Sequence, residues 1–167
     1  SKHLQSIIKE AQLHSGTSFV EVYQNCNIFN DGAFADLTDK EIKAETQLIL
    51  ENEKPMIFGK DSNKGIHLDG SKPVVVEIGK NHSIDDVLVH DTSDKVLAMI
   101  LSELTYDANF PTPLGVIYKE DKPTYEQLLI DKIDIATKSR KIELQELIKG
   151  TNTCLLYTSD AADEHGC

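Results

Sequence analysis

Phe19-Val20-Glu21-Val22-Tyr23-Gln24-Asn25-Cys26-Asn27 decides the reading of this chain. Its first five residues are β-branched, aromatic or flanked by such residues, and a polar run follows, which is the signature of a short buried strand. Upstream, Ser1 is placed to cap a helix reaching about His14, with Leu4, Ile7, Ile8 and Ala11 on one face and Gly16 as the stop. A helix feeding a short apolar strand is the repeating unit of a parallel α/β sheet. The sequence therefore opens on what reads as the last helix and strand of such a domain. Cys26 falls just past the strand, and ligands of open α/β sheets gather outside the carboxyl ends of strands. A thiolate there can act as a nucleophile or a metal ligand, while an unreactive cysteine is the plain alternative for the residue type. A lone cysteine cannot hold an iron–sulfur cluster, which takes four thiolates, so any partners must come from elsewhere.

Working outward, a loop runs from Gln24 to about Asp36. Thr38-Asp39-Lys40-Glu41 has the capping-box pattern, which predicts a helix from Asp39 that Pro55 interrupts or follows. Met56-Ile57-Phe58-Gly59 and Gly65-Ile66-His67-Leu68-Asp69-Gly70 are short strand-like pieces, and Val74-Val75-Val76-Glu77-Ile78 is a stronger one. Ser93 or Thr92 opens a helix with Val96, Leu97, Ile100, Leu101 and Leu104 on its face. Phe110-Pro111-Thr112-Pro113 is a rigid turn before a strand from Leu114 to Tyr118. Thr124 opens a helix through Leu128, Leu129 and Ile133, and Leu144, Leu147 and Ile148 line a last one before Gly150. The organisation is an α/β start with an α+β extension, without an internal repeat.

The 167 residues suffice for a real core, and 40% hydrophobic with 27% charged residues is a soluble globular composition rather than a disordered one. No apolar run nears the roughly 20 residues of a membrane span, and the N-terminus lacks a signal-peptide stretch. A cytoplasmic protein without membrane contact is expected, and the absent initiator Met suggests a start inside a longer reading frame. The formal net charge of −11 opposes binding to phosphate backbones, so nucleic acid is not an expected partner.

The chain has no Gly-x-Ser-x-Gly elbow, Walker loop, Gly-x-Gly-x-x-Gly or His-Glu-x-x-His, and no Cys-x-x-Cys pair. His82 and His90 flank Asp85 and Asp86, a set able in principle to bind a divalent metal. Its spacing fits no established site, and a polar helix start explains the acids equally well. His3, His14 and His67 read as surface residues. Asn30-Asp31-Gly32 is most simply a turn, with a functional role left open by its nearness to Cys26.

The run from Gly16 to Phe34, with Val20-Glu21-Val22-Tyr23-Gln24-Asn25-Cys26 at its centre, closely resembles beta subunits of 2-oxoacid:ferredoxin oxidoreductases, above all the 2-oxoglutarate type. Lys64-Gly65-Ile66-His67-Leu68-Asp69-Gly70, Leu88-Val89-His90-Asp91 and Phe110-Pro111-Thr112-Pro113-Leu114-Gly115-Val116 are similar to later landmarks of those subunits, and Thr151-Asn152-Thr153 to their usual ending. The resemblance implies a thiamine-diphosphate enzyme with Mg²⁺, a 4Fe–4S cluster and a separate alpha subunit. Such enzymes convert a 2-oxoacid and coenzyme A to an acyl-CoA and CO₂ and pass electrons to ferredoxin. The cysteine matching Cys26 is a cluster ligand there, so Cys26 is the expected cofactor-binding and metal-ligating residue. The family's Gly-Asp-Gly-Asp motif and early Cys-x-x-Cys are absent and are expected upstream of Ser1, which leaves this stretch probing only part of the active site. The implied organisation is the end of a thiamine-diphosphate-binding parallel-sheet domain over residues 1–36 and an α+β C-terminal extension over 37–153. A pyruvate-specific member, or a non-enzymatic interaction module with a structural Cys26, are the competing readings.

Residues 154–167 change character. Cys154-Leu155-Leu156-Tyr157-Thr158-Ser159-Asp160-Ala161-Ala162-Asp163-Glu164 resembles the translation of a transposase adapter used in sequencing libraries. The segment lacks helical or strand periodicity. It is read as a non-native tail and excluded from function, together with Cys154 and Cys167.

Overall fold

The structure is a computed structural model that describes residues 1–139 and 143–150. The readings placed on Thr151-Asn152-Thr153 and on the tail from Cys154 lie outside these residues. The chain divides into two compact units, Ser1–Lys122 and Pro123–Cys167.

In the first unit, helix α1 spans Lys2–Leu13, with the Ser1 hydroxyl accepting from the Leu4 N–H at 3.1 Å. Polar ties hold it rather than a core face, since none of its residues is buried. The Ser18 hydroxyl donates to the Ala11 carbonyl at 2.9 Å, and Lys119 pairs with Glu10 at 3.7 Å. Two one-turn helices follow, α2 (Ala35–Thr38) and α3 (Lys43–Thr46). Strand β1 (Gln47–Ile49) pairs in parallel with β5 (Thr112–Leu114). Strands β2 (Ile57–Phe58), β3 (Lys64–Asp69) and β4 (Lys72–Glu77) form an antiparallel sheet in that order. Helix α4 (Lys95–Leu104) packs Leu97, Leu101 and Leu104 inward. These residues meet Leu48, Leu50, Met56, Phe58 and Ile66 in one core, with Val75, Leu88, Phe110 and Ile117 packed against it.

The fold is mixed α/β with a parallel strand pair, as the sequence suggests, but three local readings are corrected. Phe19 to Tyr23 forms no strand among the described residues: Phe19 is 90% exposed, and Val22 is half-exposed. Strand propensity acts through pairing and burial; this segment has no strand partner among the described residues, and Tyr23 alone in it is partly buried. The helix expected from Asp39 does not form. The Thr38 hydroxyl turns back to the Phe34 and Ala35 carbonyls at 3.0 and 3.2 Å, which ends α2 instead of capping a new helix. The Asp39 carboxylate accepts the Glu41 N–H at 2.8 Å, and the chain then passes through α3 into β1. The strand expected from Leu114 to Tyr118 lies earlier, at Thr112–Leu114. Pro113 is tolerated there because β5 has one neighbour and needs donors on one side alone.

The second unit contributes α5 (Tyr125–Ser139) and α6 (Leu144–Lys149), near the expected helices. Gly150 ends α6 at a φ of 61°, in the left-handed region that glycine enters without a Cβ penalty. No described helix is long and apolar enough to cross a membrane.

Candidate functional site

Cys26 sits in a loop that is closed at three levels. At the neck, the Tyr23 and Phe34 rings stack in parallel with centroids 5.0 Å apart. Burial pushes the Tyr23 phenol above its ordinary pKa, helped by the charge of Glu21 and opposed by a hydrogen bond with Thr105 at the end of α4. One step further in, the Asn25 amide clasps the far side of the loop. Its oxygen accepts the Gly32 N–H at 2.9 Å and its NH₂ donates to the Asp31 carboxylate at 3.0 Å. At the tip, the Asn30 N–H donates to the Cys26 carbonyl at 2.9 Å, and the two residues form an isolated antiparallel bridge. Gly32 takes a φ of +77°, which lets the chain reverse beneath the clasp.

This wrapping changes the chemistry of the thiol. The nearby backbone N–H groups of Phe29 first, then of Ile28 and more weakly of Asn30, hold the Cys26 thiol below its ordinary pKa; slight burial opposes them. A lowered pKa favours the thiolate, the form that binds metal. The expectation that Asn30-Asp31-Gly32 is a turn is met, with Asp31 and Gly32 serving as the anchor points of the Asn25 clasp.

The other sequence candidates do not converge. His90 is 1% exposed; its Nε2 donates to the Val116 carbonyl at 2.8 Å. His82 packs its ring beside that of His67 at 5.1 Å, and His67 Nδ1 bonds the Asp86 carbonyl at 2.7 Å. The Asp86 carboxylate accepts from the Ser83 N–H and hydroxyl at 2.7 and 3.0 Å, which is the capping role that competes with metal binding. His14, read as a surface residue, is half-buried and meets the Glu120 carbonyl at 3.2 Å. No group of three or more His, Cys, Asp or Glu residues converges to hold a metal among the described residues. Cys26 is the one cysteine among them.

Sequence reasoning singled out Cys26 but missed Asn25. The signal available was an Asn directly before the Cys and an Asp-Gly pair six and seven residues on, suited to an amide that bridges a turn.

No family model matches the chain, and no solved structure matches it. Over 160 residues it is 30% identical to the 2-oxoglutarate oxidoreductase subunit KorB of Mycobacterium tuberculosis (strain ATCC 25618 / H37Rv). The match covers 90% of this chain and 41% of that subunit, so the chain spans about two fifths of the relative's length. The likeness extends over nine-tenths of this chain's residues and supports a fragment of a 2-oxoacid oxidoreductase beta subunit.

Proposed function

We propose that this chain is the C-terminal part of a beta subunit that, with an alpha subunit, oxidatively decarboxylates a 2-oxoacid in the presence of coenzyme A and reduces ferredoxin. The relative's name favours 2-oxoglutarate as the 2-oxoacid. In this reading residues 1–36 close the thiamine-diphosphate domain and Cys26 supplies one of the four thiolates of a 4Fe–4S cluster. The observation that carries it is the 30% identity to the KorB subunit over 160 residues, with Cys26 held in a loop that the Asn25 amide closes. The lowered pKa of the Cys26 thiol favours the thiolate, the form that binds metal.

A bound cluster would supply one-electron transfer. Cys26 would hold one iron, and the loop would keep the sulfur at a fixed place beyond Tyr23. Mg²⁺ takes converging oxygen ligands, and no group of three or more His, Cys, Asp or Glu residues converges among the described residues. In this reading thiamine diphosphate and Mg²⁺ belong to the remainder of the subunit.

The test is Cys26→Ala in the complete complex. Iron content and the cluster's visible absorbance should fall together, and ferredoxin reduction should be nearly abolished. Full iron with normal ferredoxin reduction would overturn the ligand assignment.

A further inference from the structure

His67 and His82 approach one another from two well-held pieces of the first unit. His67 stands on β3 opposite Val74 of β4, and the Leu88 N–H closes the other side of that strand at the Ile66 carbonyl. His82 ends the tight turn after β4: its carbonyl accepts the Gly79 N–H at 2.8 Å, and it bridges to Ile78. Both residues are half-buried. Their ring centroids lie 5.1 Å apart at a tilt of 44°, so the rings are neighbours without being stacked. With metal–nitrogen bonds of about 2.1 Å, two imidazoles on one tetrahedral ion have their centres about 5 Å apart.

The nitrogens of His67 suit the same task. The Asp86 carbonyl can only accept, so His67 Nδ1 carries the proton of their 2.7 Å hydrogen bond. In the neutral ring Nε2 then holds a lone pair that this bond leaves free. A ring N–H given to a backbone carbonyl is the usual support of a metal-ligating histidine, because it fixes tautomer and orientation. The Asp86 carboxylate, held at Oδ2 by Ser83, adds a negative charge that acts on both rings. No third His, Cys, Asp or Glu converges on the pair among the described residues.

We propose that His67 and His82 chelate one divalent transition ion of the kind that imidazole prefers, such as Zn²⁺, with water in the remaining positions, and that the ion ties the turn after β4 to β3. Chelation sets the affinity, since the second ring meets an ion already held by the first at high effective concentration. Mg²⁺, which takes oxygen ligands, does not compete.

The test uses the full chain with its three cysteines capped by iodoacetamide, so that no thiol takes the ion. Zn²⁺ is titrated in while the ring nitrogens of ¹⁵N-labelled histidine are followed by NMR. His67 and His82 should respond together on one saturation curve, with His67 Nδ1 keeping its proton, and Mg²⁺ should move neither. His67→Gln should weaken the Zn²⁺ response of His82 at least about tenfold, and His82→Gln that of His67. His3→Gln, outside the pair, should leave both responses unchanged. The melting temperature of the wild type should rise with Zn²⁺ by mass action. That rise should be absent in His82→Gln, which alters no strand residue and so separates loss of the ligand from loss of the fold. Rings that stay silent up to about 1 mM Zn²⁺ would overturn the chelate. A His82 response of unchanged affinity in His67→Gln would do the same, and would mark two independent histidines.

Discussion

Gly65 in β3 lies directly against Val87: a Cβ built on it would stand 2.6 Å from one Val87 methyl and 2.9 Å from the other. Both residues are buried, Val87 at 4% exposure, so neither can turn toward solvent. The contact brings the 87–90 segment onto the sheet, where the Leu88 N–H donates to the Ile66 carbonyl at 2.7 Å.

Gly65→Ala should therefore destabilise the chain by about 1–3 kcal/mol, the usual cost of overpacking a filled site. Adding Val87→Ala should recover part of the loss by vacating the space. Urea denaturation of the single and double variants checks this. Equal midpoints for wild type and Gly65→Ala would show that the strand can shift freely.

Leu101 and Phe19 set the two extremes of the apolar residues. Leu101 is fully enclosed in the core and Phe19 is 90% exposed. Leu101→Ala should cost about 2–5 kcal/mol, the transfer term plus the cavity left behind. Phe19→Ala should stay within about 0.5 kcal/mol in this chain, as for an ordinary surface change. A loss at Phe19 comparable to that at Leu101 would mean that the Phe19 to Tyr23 segment is packed in solution.

What the sequence made legible follows the range of the interaction. Helix α4 was readable because Leu97, Leu101 and Leu104 recur at helical spacing, and that spacing also makes its core face. Its cap was misplaced by one or two residues because Ser93 and Thr92 are both good caps by type. Ser93 is instead engaged by Asp91 at 2.7 Å and Thr92 by Asn52 at 3.0 Å, leaving Asp94 to accept the Val96 and Leu97 N–H groups. β1 was missed although Leu48 and Leu50 are buried and Ile49 is exposed, a strand alternation too short to compete with the helix pattern around it. Cys26 was legible by residue type and by family resemblance. The clasp that closes its loop was not, since it depends on Asn25 reaching Gly32 seven residues on.

His90 joins two segments from inside the fold. Its backbone N–H donates to the Lys54 carbonyl at 2.9 Å, its carbonyl accepts the Glu53 N–H at 2.8 Å, and its ring reaches the Val116 carbonyl. Nδ1 has no hydrogen-bond partner among the described residues. His90→Leu keeps the backbone bonds and much of the volume but strips the donor from the Val116 carbonyl. The expected loss is about 1–3 kcal/mol, the cost of an unsatisfied buried acceptor. Thermal melts compared with His90→Gln, whose amide can still donate, check the assignment: Gln should retain more stability than Leu, and the reverse order would remove the donor role.

Glu45 gives the chain a defined acid sensitivity. Its carboxylate accepts from the Lys64 ammonium at 2.8 Å and the Lys60 N–H at 2.9 Å, tying α3 to the turn between β2 and β3. The Lys64 hydrogen bond first, and then the Lys60 N–H, hold its pKa below the ordinary carboxylate value; slight burial opposes them and the Lys64 charge adds to them. A carboxylate with a depressed folded pKa contributes stability that is fully present above its unfolded pKa, about 4.3 for Glu. That stability is lost as pH falls through the lower folded value. Glu45→Gln should therefore melt below wild type at neutral pH, and the gap should narrow as pH falls through about 4.3 toward about 3. Lys64→Met should show the same convergence with a smaller gap, because it leaves the Lys60 N–H bond in place. Added salt should weaken the Lys64 contribution, since both partners are about a third exposed. Melting temperatures of the three proteins measured across this range decide the matter. A gap between Glu45→Gln and wild type that stays constant down to about pH 3 would show that the substitution acts through packing rather than through the charge on Glu45.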